Sequence, residues 1–403
     1  MRSEGRLASL DPTPGSTIVR RFAGPVATEL AILHRPDGRS PDPAHQAEAA
    51  YRALAAVLAA HAASFGDLTC ETLFLRDVRR DLPLVLDVRT RVLADLRQSA
   101  WSPSPSFIEQ APAARGARFE LSASAVVPHR RDAWSVRDVR AASTCGCRGC
   151  VRSGARLVRL GDQTSLHTTN VHGAGADPLE QAWSMFCAAE RLLERVGMTF
   201  RDVVRTWIDV RDVDRDYDAL NRARRAFFRR CGIEQRPAST GVQGMPAGPH
   251  DFALRLHAVK IPHRRDVTVM STPLLNEAWS YGADFSRGLR VAERNKVALH
   301  VSGTASVDEA GRTAHVGSLE AQVDRMLQNV ASLLARHGAG FADLVSGVVY
   351  LRDRADAPVV RSMLHDHGFD GFPCALVEAA LCRPELLCEG EVLAMLPLAA
   401  GEA

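Results

Sequence analysis

One phrase recurs three times along this chain. Phe65-Gly66-Asp67-Leu68 leads to Leu75-Arg76-Asp77, Phe200-Arg201-Asp202-Val203 to Val210-Arg211-Asp212, and Phe341-Ala342-Asp343-Leu344 to Leu351-Arg352-Asp353, with the same interval from Phe to Arg each time. Self-similarity at that scale means one supersecondary unit used repeatedly. At 403 residues the chain also exceeds the roughly 250–300 residues that a single core sustains, so several packed units are expected. Function should lie where the copies meet and where they differ.

Each copy has the same order of elements. A helix comes first, over 47–62, 179–196 and 319–337; in the third, Val323, Met326, Leu327, Val330, Leu333 and Leu334 recur at helical spacing. Gly197 and Gly338 follow two of these helices as C-terminal glycines do. Apolar, β-branched strands come next at 69–75, 204–210 and 345–351. A second helix is expected over 84–97, 217–230 and 357–367, and proline-led strands close each copy. Such mixing of strands and helices implies an α+β fold, with layers of helix on sheet. The units are expected at 18–135, 150–265 and 268–400, the first being the most degenerate. Residues 136–149 read as a Cys/Arg-rich linker, and 1–17 as a disordered N-terminus rich in Pro, Ser and Gly.

Composition excludes little but bounds the partners. Net charge is +3, too small to point to nucleic acid, and Lys260 and Lys296 are the only lysines, which disfavours Schiff-base chemistry. Arginine supplies the rest of the positive charge and suits a small anionic substrate. No segment reaches the roughly 18 apolar residues of a membrane span, and no apolar leader is visible, so a cytoplasmic protein with mostly reduced thiols is expected. A chain holding all three copies can close its own interfaces, which implies a monomer or a weak homo-oligomer.

These segments resemble the Rid (YjgF-like) proteins, small αβ subunits that assemble as trimers with clefts between neighbours. Within that superfamily the chain is most similar to the chorismatases, which build a pseudo-trimer, inner sheets and outer helices, from one polypeptide. The resemblance rests on Val204-Arg205-Thr206-Trp207, on Tyr217, Asn221, Arg224 and Phe227, on Pro237-Ala238-Ser239-Thr240-Gly241, and on Tyr281-Gly282 with Phe285-Ser286-Arg287. It is most specific at Val301-Ser302-Gly303-Thr304-Ala305-Ser306 with His315-Val316-Gly317, and at Cys382-Arg383-Pro384-Glu385-Leu386-Leu387-Cys388-Glu389-Gly390-Glu391. Ser318 and the loop after Ser306 depart from the family's wording.

Aligning the closing strands sets Glu120, Ala253 and Glu389 against one another, and only the third copy has two acids, Glu389 and Glu391, two residues apart on one strand face. A carboxyl on an apolar interior strand loses hydration and holds its proton to higher pH, as a general acid requires. The resemblance implies removal of the enolpyruvyl group of chorismate, or of a related enol ether, as pyruvate, with no cofactor. Glu389 would donate the proton and Glu391 would hold a water or an arginine. Cys382, ahead of the glutamate, tilts the family reading toward 3-hydroxybenzoate, and is otherwise a small buried thiol. Arg205, Arg224, Arg287 and Arg383, with Tyr217 and Tyr281, are candidate partners for the substrate carboxylates. Gly303, Thr304 and Ala305 would make room for the ring, and His315 would orient water or substrate. The alternatives are a Rid-type imine and enamine hydrolase, disfavoured because Pro105, Ala238 and Cys374 stand where its carboxylate-clamping arginine is expected, and a non-catalytic ligand-binding scaffold. Cys145, Cys147 and Cys150 form C-x-C-x-x-C, able to bind zinc with His167 or His172, or to be a redox or exposed loop.

Overall fold

The structure, a computed structural model, describes residues 15–98, 104–141, 147, 153–260 and 266–398, and the side chain of Tyr281 is outside the described set. Three sheets account for all the strands of the described residues. The first unit runs β1 (Ser16–Ala23), β2 (Ala27–Arg35), α1 (Pro43–Ala60), β3 (Leu68–Leu75), α2 (Val78–Asp95), β4 (Ser106–Glu109) and β5 (Phe119–Pro128), with sheet order β1-β2-β5-β3-β4. The second runs β6 (Trp134–Arg140), β7 (Gly154–Leu160), β8 (Gln163–Thr169), α3 (Pro178–Glu194), β9 (Val203–Val210), α4 (Val213–Cys231), β10 (Ala238–Gln243) and β11 (Phe252–Lys260), with order β10-β9-β11-β8-β7-β6. The third runs β12 (Val267–Val269), β13 (Gly288–Ala292), β14 (Val297–Ala305), α5 (Leu319–Ala335), β15 (Leu344–Leu351), α6 (Ala357–Asp366), β16 (Cys374–Glu378) and β17 (Cys388–Leu396), with order β12-β13-β14-β17-β15-β16. In each unit one strand pair, β3/β4, β9/β10 or β15/β16, is parallel and bridged by the second helix, and the other pairs are antiparallel. The fold is α+β, built of three units with the same order of elements.

The recurring phrase has a local cause at each of its polar positions. Asp67, Asp202 and Asp343 each accept the backbone N–H three residues earlier, at 2.8, 2.7 and 2.8 Å, capping the short 3-10 turn that feeds the central strand. Asp77, Asp212 and Asp353 cap the helical turns that follow it. Those caps start α2 and α4 earlier than the expected Leu84 and Tyr217. The arginine between strand and cap turns back to bond the carbonyls of the loop before the closing strand. Arg76 bonds Ala117 and Pro112, Arg211 bonds His250 and Gly248, and Arg352 bonds Leu386 and Arg383.

One face of each sheet buries the apolar stripe of its two long helices. Phe186 and Leu193 of α3 and Phe227 of α4 pack on Ile208 and Leu254, and Val323, Met326 and Val330 of α5 pack with Val360 of α6 on Leu299 and Val349. The opposite faces converge on a cavity of about 220 Å3 that all three sheets line. The sheets are stitched there by polar pairs, among them Lys296 Nζ to Glu29 at 2.7 Å and Arg156 Nη1 to the Leu68 carbonyl at 2.8 Å. Sheets therefore lie inside and helices outside, as expected. One expectation is corrected: residues 134–140, partly assigned to a linker, are edge strand β6, antiparallel to β7 throughout. The alternation of its intermediate and exposed side chains is that of an edge, which the Arg-rich composition conceals. No helix of the described residues is long and apolar enough to cross a membrane.

Candidate active site

The second and third units leave between them a cleft of about 390 Å3. Its walls are α4 and β10 on one side, and β14, β17 and the loops at 282–287 and 382–386 on the other. The seam is held by small hydroxylated residues. Ser239 N donates to Ser302 Oγ at 2.9 Å, Ser302 Oγ to the Ser286 carbonyl at 2.5 Å, and Gly303 N to Thr240 Oγ1 at 2.9 Å. These bonds bring the start of β10 against β14 where its pairing with β17 shifts register, between Val301 and Thr304.

Glu389 projects into the cleft from β17, opposite Ala305 on β14 and Tyr350 on β15. Gly303 lies beneath it: a Cβ there would fall 2.0 Å from Glu389 Oε1, so only glycine leaves the carboxyl its position. Glu389 is 6% exposed and accepts no hydrogen bond from a described residue. Burial raises its pKa to about 8, with the charge of Glu391 adding to the rise and Arg287, Arg205 and Arg383 opposing it. At neutral pH this carboxyl is protonated.

Two arginines flank it on an aromatic plate. Arg224 on α4 donates Nη2 to Asn221 Oδ1 at 2.5 Å, and its guanidinium lies 5.5 Å from the Phe285 ring. Arg287 donates Nε to the Asn276 carbonyl at 2.9 Å and lies 5.9 Å from the same ring. Cation–π contact and fixed acceptors hold both forks in place, ready for carboxylates. Cys382 and Arg383 enter from the loop that Arg352 holds; Gln322 adds bonds to Leu387 N and the Glu385 carbonyl at 2.9 and 2.8 Å. Burial, with the nearby Glu389, raises the Cys382 thiol to about 12, so it is a neutral S–H and not a thiolate.

Of the residues singled out from the sequence, Glu389, Cys382, Tyr217, Arg224, Arg287, Gly303, Ala305 and Arg383 meet in this cleft. The structure places four elsewhere. Glu391 shares the face of β17 with Glu389 but lines the central cavity, where Arg205 Nη2 and Trp207 Nε1 donate to it at 2.6 and 2.8 Å. Arg205 is thus a partner of Glu391 and Thr240 rather than a cleft ligand, because β9 lies one strand in from the wall. Thr304 alternates to the other face of β14 and donates to the Ser302 carbonyl at 2.8 Å. His315 sits exposed in the turn before α5, with φ of 57°, and does not line the cleft. The Tyr281 side chain, Cys145 and Cys150 lie outside the described residues. Of the two histidines considered as zinc ligands, His167 stacks on His257 in the central cavity, 4.2 Å between centroids. Sequence reasoning did not assign roles to Phe285 and Asn221. The signals were present: Asn221 and Arg224 are three apart on one helical face, and Phe285 alternates with Arg287.

Residues 281–396 match the family described as Endoribonuclease L-PSP. The match lies within the third unit. A 3-hydroxybenzoate synthase of Streptomyces hygroscopicus is 30% identical over 232 residues, which span 51% of this chain and 66% of that protein. A 3-aminoacrylate deaminase, RutC, of Acinetobacter baylyi is 28% identical over 92 residues, 23% of this chain and 73% of that protein. A solved chorismatase structure superposes with a TM-score of 0.56 at 19% identity, over 72% of this chain and 86% of that one, a likeness of fold. This three-unit α+β chain thus shares its architecture with a chorismatase, and the segment matched by the family contains Glu389.

Proposed function

We propose that this protein is a chorismatase-like enzyme that removes the enolpyruvyl group of chorismate, or of a closely related enol ether, as pyruvate. The observation that carries the reading is Glu389: a neutral carboxylic acid near pH 7, facing a cleft flanked by Arg224, Arg287 and Arg383. Similarity to a 3-hydroxybenzoate synthase supports it.

An enol ether is inert to water until its terminal methylene carbon is protonated. Glu389 donates that proton, its O–H bond breaking as the C–H bond forms, and the double bond becomes an oxocarbenium ion. The carboxylate left behind lies opposite the cation that has formed, and Arg287, Arg205 and Arg383 stabilise its charge. Arg224 and Arg287 bind the substrate's two carboxylates with the ring over Phe285. If water traps the ion, the products are pyruvate and a dihydroxycyclohexadienoate. If the ring's own hydroxyl traps it, elimination gives pyruvate and a hydroxybenzoate with no net water consumed. Glu389 recovers its proton in either case. Cys382 at the wall tilts the reading to the hydroxybenzoate and hence to a lyase. On this reading the three units form a pseudo-trimer within one cytoplasmic chain serving secondary metabolism.

Similarity to a 3-aminoacrylate deaminase favours a second reading, an enamine or imine hydrolase using the same cleft. Ala238, where that reading looks for a carboxylate clamp, is buried and carries no charge. Incubation of the purified protein with chorismate, followed by assay of pyruvate and of the aromatic product, tests the proposal. Ammonia from an enamine with no pyruvate from chorismate supports the second reading instead.

A further inference from the structure

Three side chains hold the same place on the central strands of the three units, four residues before the repeated arginine: Thr72, Trp207 and Val348. All three line the central cavity, and none lines the cleft. Of the three, only Trp207 has a side-chain N–H able to cross to the next unit. Its Nε1 donates to Glu391 Oε1 at 2.8 Å, while Arg205 Nη2 donates to the other oxygen, Oε2, at 2.6 Å. A carboxyl that accepts a donor on each oxygen is held as a carboxylate.

The indole is itself fixed from two sides. The Arg205 guanidinium lies 4.8 Å from the Trp207 ring and that of Arg255 5.7 Å, contacts that pin the ring by cation–π attraction. Arg255 stands opposite Trp207 across β11 and β9, and reaches Thr72 Oγ1 of the first unit at 3.4 Å and Asp209 Oδ1 at 3.5 Å. The titratable and charged groups facing Glu391 are Arg205 and Asp209 of β9, Arg255 of β11, Tyr350 of β15, Cys374 of β16 and Glu389 of β17. Burial keeps Tyr350 and Cys374 neutral. A guanidinium in place of the indole would offset the charge of Glu391, as Arg205 already opposes the rise in the Glu389 pKa. A neutral N–H fixes the carboxylate and cancels none of its charge.

We propose that Trp207 is a positioning residue for the acid: from the central cavity, outside the cleft, its indole N–H and the two guanidiniums on its ring hold the Glu391 carboxylate where its charge acts on Glu389. The inference rests on the reading of Glu389 as the general acid. Without the N–H, Glu391 turns wholly to Arg205, whose positive charge offsets it. Glu389 then loses part of the negative field that raises its pKa.

The test is Trp207→Phe, which keeps a ring and deletes the donor, read in two ways. Infrared difference spectroscopy follows the Glu389 carboxyl over a pH series, its signal assigned by its loss in Glu389→Gln; steady-state kinetics follows the falling limb of kcat. Midpoint and limb should both move to lower pH by about half a unit in Trp207→Phe, and neither should move further when Glu391 is already Gln. A measurement on the protein with Trp207 intact needs no folded Trp207 variant: one of the chain's five indole N–H protons should resonate downfield of the rest, and lose that displacement in Glu391→Gln. A Glu389 midpoint unmoved in Trp207→Phe, an equal shift in the Glu391→Gln background, or indole signals indifferent to Glu391→Gln overturns the proposal, and Trp207 then only packs. A midpoint that shifts in a protein releasing no pyruvate from chorismate leaves this inference standing and overturns the proposed function instead.

Discussion

Arg205 of β9 bonds Glu391 of β17 at 2.6 Å across the boundary between the second and third units. Glu389, two residues earlier on the same face, has no such partner among the described residues. The chain thus carries two nearby acids with opposite fates, one paired with a guanidinium and an indole N–H, the other desolvated and protonated. The paired acid acts on the unpaired one, because its negative charge adds to the rise that burial produces in Glu389.

That relationship predicts a pH profile. A general acid works only while protonated, and Glu389 holds its proton up to about pH 8, so kcat should be flat near neutrality and fall as pH rises through about 8. Glu391→Gln removes a nearby negative charge, which lowers the Glu389 pKa and should move the falling limb to lower pH. Steady-state rates over a pH series of both proteins check this. A limb that stays in place in the variant would show that the charge of Glu391 does not tune the acid.

Gly303→Ala should disable the acid with little change of fold. The added methyl would stand 2.0 Å from Glu389 Oε1, and the carboxyl must swing away. A displacement of about 1 Å at a reacting group costs on the order of 100-fold in rate. The expected outcome is a loss of that order in kcat with a near-native circular dichroism spectrum.

Arg352 and Arg76 occupy the same place in two copies and should differ in what they support. Arg352 holds the carbonyls of Leu386 and Arg383, and so the loop that carries Cys382 into the cleft. Arg76 makes the matching bonds to Ala117 and Pro112, outside the cleft. Either change to Ala should destabilise by about 1–3 kcal/mol, since partly buried carbonyls lose charged donors. Only Arg352→Ala should also reduce kcat/KM by tenfold or more, as denaturant melts alongside kinetics would reveal.

Cys382→Ala should change the product rather than the rate. Its thiol is neutral, so it contributes shape and a weak donor, not a nucleophile. Opening the wall admits water to the oxocarbenium ion, and chromatography should show hydroxybenzoate falling in favour of the dihydroxycyclohexadienoate. An unchanged product ratio would remove Cys382 from product control.

Much of this was readable beforehand because the informative features are local. The repeated Phe-x-Asp and Arg-Asp pairs encode capping turns and a loop anchor, and capping chemistry depends on near neighbours in sequence. The same locality placed Glu389 and Glu391 on one face of a strand. What sequence could not supply was the third dimension of the interface. Arg205 reads as a carboxylate ligand until Glu391 is seen to occupy it, and His315 reads as a site residue until its turn is seen to face outward. Phe285 becomes meaningful only when arginines from two units lie over its ring. Edge strand β6 was hidden because its exposed positions carry the charge that a linker also carries.

The most direct measurement is pyruvate release from chorismate by Glu389→Gln. The amide keeps the shape and polarity of the side chain but has no proton to give. The account predicts measurable turnover in the unmutated protein and a loss of at least 1,000-fold in kcat in the variant, within the roughly 100–10,000-fold range of general acid catalysis, with KM and melting behaviour little changed. Turnover by Glu389→Gln at the unmutated rate would contradict it.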